Sequence, residues 1–301
     1  MGVAINYGVH DFSEKAIDTY GCNIRFGGTF QYWHFNHRVL GSGLAGLVYT
    51  EPFLYTRDRF MSSIRASAGL IGLTKPYSEA ANPSNLAYST HVAFPLSIEL
   101  NFYFPLADHW ALAFSAGFNH FSNGGIKKPN YGLNYSSLAL GIEYNFTHYG
   151  VPPRLYSQNL RLAPQHKRPQ CEVAVSFALS GDDNGNNKNL YVLTNAKYYR
   201  QLTRINGIGT GVLLEHRLSG GNPDGSPGSL SLLLGHRFYL GKFSFTQDMA
   251  LSLLGGLNSG HPFFQLYAID FALTDNLLLG TILKAHGNIA DYPGIRLGVR
   301  W

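Results

Sequence analysis

No run of about 18 apolar residues occurs in this 301-residue chain, so the sequence offers no transmembrane helix. Charge is scarce too. Asp, Glu, Lys and Arg make up 14% of the residues, well below the roughly 25% of an ordinary soluble domain. The two cysteines, Cys22 and Cys171, are too few for a disulfide framework and have no metal-ligand spacing. At most they leave one bridge open in an oxidising compartment. Dense basic runs are missing: the net charge of +5 is scattered, which argues against nucleic acid and is compatible with anionic lipopolysaccharide. The start, Met1-Gly2-Val3-Ala4-Ile5, has neither a charged nor a long apolar region. A signal peptide is therefore expected to lie outside this numbering, as in an exported protein that has lost it.

What is present points to strands. Thirty-four Gly, 19 Tyr and 20 Phe supply tight turns and interfacial aromatics, the needs of a barrel wall that meets lipid headgroups. Alternating segments of about ten residues, separated by turn clusters, recur along the whole chain. In the first half they fall at 3–9, 22–33, 43–55, 61–73, 88–104, 109–122 and 135–147. The second half adds 171–180, 189–202, 206–218, 229–240, 242–254, 263–273, 276–286 and 294–301.

Single-chain bacterial barrels usually have an even strand number. The expectation is therefore an all-β protein, one transmembrane antiparallel β-barrel of about 14 strands, with 16 as the fallback. Residues 1–150 and 171–301 would share that barrel, joined by a polar, proline-bearing connector at 151–170. Two separate small barrels are the alternative.

The alternation has a direction. Trp110, Leu112, Phe114 and Phe118 alternate with Ala111, Ala113, Ser115, Gly117 and Asn119, as do Leu138, Leu140 and Ile142 with Ala139, Gly141 and Glu143. Apolar outside and small or polar inside is the arrangement of a wall in lipid. A soluble sandwich also alternates, but its apolar face is a core. Arg65, Glu99, Glu143, Lys197, Glu215, Arg237 and Lys284 interrupt the strands and are expected to pair inside the barrel. A passive porin remains a weaker reading. The chain closes on Ile295, Leu297, Val299 and Trp301, alternating with Arg296, Gly298 and Arg300. This resembles the C-terminal aromatic signal of bacterial outer-membrane barrels.

Neither 181–187 nor 220–225 has the full spacing of a calcium loop, and both read as solvated turns. His91, His236 and His286 read as ordinary strand histidines rather than ligands. His34, His37 and Arg38 follow Trp33 at a turn and read as girdle or loop residues. No metal or cofactor is expected.

Chemistry concentrates in His120-Phe121-Ser122-Asn123-Gly124-Gly125 and the following Pro129-Asn130-Tyr131-Gly132-Leu133-Asn134. His120 and Ser122 are two apart on a strand and share the outward face of Phe118. An imidazole and a hydroxyl at a bilayer boundary cost free energy unless they satisfy each other or a substrate. A neutral His can take the Ser proton, making the oxygen a nucleophile toward an ester, while a third polar group fixes the imidazole tautomer. Asn134 shares the outward parity of Leu138 and lies across the turn from His120, provided no bulge shifts the register. Glu143 has inward parity and cannot take that place.

The motif His-x-Ser-Asn followed by Pro-Asn-x-Gly-Leu resembles the active-site hairpin of the PagL family of lipid A 3-O-deacylases. That family's eight-stranded barrel removes the ester-linked 3-hydroxyacyl chain from lipid A with a Ser nucleophile, a His base and a Glu. The resemblance implies Ser122 as nucleophile, His120 as base, and Asn130, with Asn123, Gly124 and nearby amides, as oxyanion donors. It also implies a bacterial outer-membrane location, lipid A or lipopolysaccharide as partner among outer-membrane lipids, and no nucleic acid. It is close over about 25 residues and looser over the first 150. The region after 170 looks like that of longer relatives from Bacteroidetes-type bacteria.

One position departs: Asn134 stands where the family has Glu. An amide can accept the imidazole N–H but cannot neutralise an imidazolium, and Asp-to-Asn at that role in a serine protease costs about four orders of magnitude in rate. The competing reading is a non-catalytic barrel that serves as a structural or partner-binding subunit among other outer-membrane proteins.

Overall fold

The structure is a computed structural model that describes residues 1–147, 169–181, 188–203, 205–219, 228–255, 262–287 and 289–301. Most of the connector and of the two polar loops, 182–187 and 220–225, lies outside the described residues.

Fifteen strands and one short helix follow one another along the chain. The first group is β1 (Gly2–Asp11), α1 (Glu14–Tyr20), β2 (Ile24–His34), β3 (Ser42–Arg57), β4 (Phe60–Leu73), β5 (Val92–Ala107), β6 (Trp110–Ser122) and β7 (Leu133–Tyr144). The second is β8 (Pro169–Gly181), β9 (Lys188–Gln201), β10 (Asn206–Ser219), β11 (Gly228–Leu240), β12 (Phe243–Leu254), β13 (Phe263–Ala272), β14 (Leu277–His286) and β15 (Ile289–Arg300). Each of the alternating segments read from the sequence overlaps one of these strands. The helix was not foreseen. It is a single capped turn pair, with the Ser13 hydroxyl accepting from the Ala16 amide and Gly21 closing it at φ 75°.

The expected single wall of about 14 strands is corrected. Strands β1 to β7 form one sheet in sequence order, and β8 to β15 form a closed barrel of their own in which β15 pairs with β8. By their internal contacts the residues divide into Met1–Asn123 with Tyr131–Leu160, and Gly124–Asn130 with Arg161–Trp301. Periodicity does not reveal which strand meets which, and the even-number rule applied to the whole chain hid a division into seven and eight.

The two sheets differ in strand parity. In a run of consecutive antiparallel strands each hairpin reverses direction, so the first and last strands of an eight are antiparallel, as the paired β8 and β15 are. In a run of seven the first and last are parallel. Among the described residues neither outer edge, of β1 or of β7, has a ladder partner. The seven-stranded sheet is still strongly curled. Side chains of β2 and β7 meet across its interior: Arg25 Nη1 lies 2.7 Å from Glu143 Oε2, and Trp33 packs edge-on to Tyr135 at 5.2 Å.

Both sheets are polar within and apolar outside. On β7, Leu138, Leu140 and Ile142 are 72–76% exposed. Val3, Ile5, Tyr7 and Val9 of β1 are exposed as well. Apolar bands this continuous exceed the few hundred Å² that a monomeric soluble protein leaves bare. The seven interrupting charges point inward and pair. Within the first unit, Glu51 accepts from Arg25 Nη2 at 2.8 Å, Arg65 Nε at 3.1 Å, Ser63 at 2.5 Å and Tyr103 at 2.5 Å, and Arg65 also meets Glu99 at 3.7 Å. In the barrel, Glu172 binds Arg237 at 2.7 Å and also binds Arg296, while Lys197 pairs with Asp248 and Lys284 with Glu215. Arg237 and Arg296 are fully buried, and Leu193, Leu213, Leu233 and Leu266 pack elsewhere in the same interior. Eight strands enclose a space that side chains can fill, and here they fill it.

Candidate active site on the β6–β7 hairpin

The site grows out of strand register. On the ladder between β6 and β7, His120 stands directly opposite Asn134 and Phe121 opposite Leu133, with no bulge between Trp110 and Phe121. On the other side Leu96 faces His120 and Phe94 faces Ser122. The outward parity of His120, Ser122 and Asn134 therefore survives folding. Phe121, between them, turns inward and is buried among Tyr88, Phe35 and Tyr135.

The two opposed side chains meet: His120 Nδ1 is 2.7 Å from Asn134 Oδ1. With the amide oxygen as acceptor, Nδ1 carries the proton and donates it, leaving Nε2 as the basic nitrogen. His120 is half-buried, Asn134 exposed and Ser122 buried at 7%. The nucleophile candidate is thus tucked in at the end of its strand, while the imidazole and amide stay near the surface.

A connection supports this arrangement, and its last four residues, 88–91, lie outside β5 although the sequence alternation begins that strand at 88. The stretch between β4 and β5, residues 74–91, contains Tyr88, Asn85 and Ser89, all nearly inaccessible. Asn85 Oδ1 accepts from the Ala87 amide at 3.0 Å, its Nδ2 donates to the Lys75 carbonyl at 2.6 Å, and the Tyr88 hydroxyl donates to the Leu40 carbonyl. This folded loop grips both arms of the hairpin. Asn123 Nδ2 donates to Ser89 Oγ at 3.1 Å, while the Tyr131 and Gly132 amides donate to the carbonyls of Leu86 and Ala87 at 3.1 and 2.9 Å.

Asn123, expected from the family resemblance to help at an oxyanion, therefore directs one side-chain N–H into the protein. Asn130 is half-buried, and Gly124 is buried with φ 70°. Both belong to the segment Gly124–Asn130 that groups with the second unit, so the β6–β7 ladder does not bring them to Ser122. Ser89, Ala87 and Gly132 had no role in the sequence reading. The only signal was Gly132 itself, inside the quoted motif.

Farther along the outward face is a groove of about 710 Å³, bordered by Ile98, Leu100, Ala116, Phe118, Ser136 and Leu138. It starts one outward row from His120 and Asn134, because Phe118 stands opposite Ser136 and Ala116 opposite Leu138. The small side chains of Ala116 and Ser136 create its depth. Among the described residues no three His, Cys, Asp or Glu cluster in a way that could hold a metal ion. His286 pairs with Asp291 at 2.5 Å, His236 packs on Phe238, His91 Nδ1 meets the Leu73 carbonyl at 3.0 Å and His34 Nδ1 meets Ser42 Oγ at 3.0 Å. Both cysteines are free thiols.

Three comparisons bear on these observations. The family model described as lipid A 3-O-deacylase (PagL) matches residues 2–143, and that described as the acyloxyacyl hydrolase C-terminal domain matches 170–301. No curated protein matches the chain. Among solved structures, the KdgM porin in complex with disordered oligogalacturonate aligns over 100% of this chain and 98% of its own, at 6% identity and a TM-score of 0.22. A triple mutant of the Rh. blastica porin aligns over 100% and 90%, at 8% and 0.22. The siderophore receptor PirA from Pseudomonas aeruginosa aligns over 100% and 64%, at 9% and 0.24. The family matches rest on the sequence itself, and between them they take in both sheets. Residues 2–143 thus match the PagL family of lipid A 3-O-deacylases, and residues 170–301 match an acyloxyacyl hydrolase C-terminal domain.

Proposed function

We propose that the protein is an outer-membrane lipid A acyl-ester hydrolase of the 3-O-deacylase kind. The family points to a lipid A deacylase-type hydrolase, and the observation that carries the finer reading is the 2.7 Å contact of His120 with Asn134 on the outward face, two residues before Ser122. In this reading Ser122 Oγ attacks the ester carbonyl while His120 Nε2 takes its proton. Asn123 braces the loop through Ser89. Collapse of the tetrahedral intermediate releases the sugar hydroxyl, which receives the proton from His120. Water, activated by the same His120, then frees the fatty acid from Ser122. No metal or cofactor enters the scheme.

The groove past Phe118 suits the departing acyl chain, since it begins beside the pair and is apolar apart from its serines. Residues 1–150 carry the chemistry, 151–170 connect, and 171–301 add a barrel whose packed interior suits a structural role rather than a pore. The exposed apolar bands support membrane insertion, and the family supports the bacterial outer membrane, with lipopolysaccharide and its lipid neighbours as surroundings.

A second reading is favoured by one residue. Asn134 gives the imidazole a partner without a charge, which suits a non-catalytic barrel that binds lipid A or neighbouring outer-membrane proteins. Mass spectrometry of lipid A from cells making this protein, beside cells making the Ser122→Ala variant, separates the two. Loss of one hydroxyacyl mass that depends on Ser122 is expected. Identical lipid A in both, with the proteins folded and inserted, would overturn the hydrolase for that substrate.

A further inference from the structure

A side chain at Gly132 would run into the His120 imidazole. A Cβ built there would lie 2.8 Å from His120 Cε1, 3.3 Å from the Phe121 carbonyl and 3.5 Å from Ser122 Cβ. We propose that Gly132 is a positioning residue that holds the His120 ring for proton transfer with Ser122, an inference that rests on the Ser–His reading above.

Cε1 lies between the two ring nitrogens. The absence of a Cβ at Gly132 leaves the space that Cε1 occupies, and the hydrogen bond at Nδ1 holds the ring there about a Cβ–Cγ torsion that is otherwise broad for His. Asn134 alone would set which nitrogen holds the proton. Gly132 adds where the ring can sit, and the Ser122 Cβ borders the same point at 3.5 Å from the added atom. The glycine is held in place, since the Gly132 amide is tied to the Ala87 carbonyl at 2.9 Å and the Tyr131 amide to Leu86 at 3.1 Å.

Backbone conformation by itself does not account for the close approach. Gly132 has φ +73°, in the region where glycine is favoured, but Gly287 has φ +61° and its hypothetical Cβ meets nothing within 4 Å. Gly287→Ala therefore adds backbone strain without a collision, whereas Gly132→Ala adds both. Gly132→Asn keeps the collision with a side chain that tolerates positive φ better, and guards against a Gly132→Ala variant that fails to fold.

The full chain, refolded in detergent micelles with ¹⁵N-labelled histidine, allows two readings for each variant. One is the imidazole ¹⁵N shifts of His120, which report tautomer and ring order. The other is the rate at which a fluorophosphonate labels Ser122. In the unmodified protein His120 is expected to hold its proton on Nδ1. In folded Gly132→Ala or Gly132→Asn that preference is expected to blur and labelling to fall about a hundredfold, the scale of a 1 Å misplacement. Gly287→Ala is expected to change neither. Unaltered His120 shifts in a folded Gly132 variant would overturn the inference, whether or not Ser122 reacts. Altered shifts in a protein whose Ser122 never reacts would support the positioning role and overturn the hydrolase reading instead.

Discussion

Asn134→Asp replaces an amide by a carboxylate of the same length, so the 2.7 Å contact with His120 Nδ1 can persist while a charge appears beside the ring. During proton transfer from Ser122 the imidazole becomes a cation. Two unit charges about 4 Å apart attract by roughly 4 kcal/mol at an effective dielectric constant near 20, or about three orders of magnitude in rate. The ceiling is not reached here. Asn134 is exposed and His120 only half-buried, and solvent screening at a surface leaves about a third of that, giving a gain of about tenfold. Asn134→Ala removes the acceptor, frees the tautomer and is expected to lower the rate by about one to two orders of magnitude. The assay is release of hydroxy fatty acid from purified lipid A in mixed micelles, with Ser122→Ala as the zero. A folded Asn134→Asp that is no faster than the unmodified protein, together with an Asn134→Ala that is no slower, would refute the role given to this contact.

Two further outcomes concern the fold. Glu51→Gln leaves Arg25 and Arg65 facing each other in the interior of the seven-stranded sheet. Removing one partner of a buried ionic cluster costs about 3–5 kcal/mol, to be read as a lower urea midpoint for refolded protein in micelles, and an unchanged midpoint would show that the cluster adds nothing. Leu140→Arg places a cation on the outward face of β7, where Leu140 is 74% exposed. Near a bilayer midplane this costs about 2–4 kcal/mol, whereas the same change in detergent-free soluble protein would raise solubility, so vesicle insertion measured against urea separates the two.

Strands, their faces and the hairpin chemistry were legible in the sequence because each depends on spacing of two along an extended chain. Trp110, Leu112, Phe114 and Phe118 state which way β6 faces, and from that parity the outward position of His120, Ser122 and Asn134 follows without knowledge of any neighbour. The inward direction of Arg65, Glu99, Glu143, Lys197, Glu215, Arg237 and Lys284 was equally readable. Their partners Arg25, Glu172 and Asp248 carry the same parity signal but lie on strands that are not neighbours, so pairing could not be assigned. Asn134 was placed beside His120 because one short hairpin connects them. Gly132 and the 85–89 stretch were not, because their contacts cross between loops whose path no periodicity describes.

By itself, then, the sequence determined local matters: strand after strand, an apolar outer face, polar interior positions, and a His-x-Ser pair facing outward with an amide where the family carries a carboxylate. Only the tertiary structure decided how strands were shared between sheets. Closure depends on ladders between residues more than a hundred positions apart, such as Val175 with Leu297. Whether a wall closes is set by strand direction and register across that distance, and no local pattern encodes either. The same holds at the site. Spacing put His120 and Ser122 on one face, while the 74–91 loop that grips their hairpin comes from a part of the chain brought to it by folding.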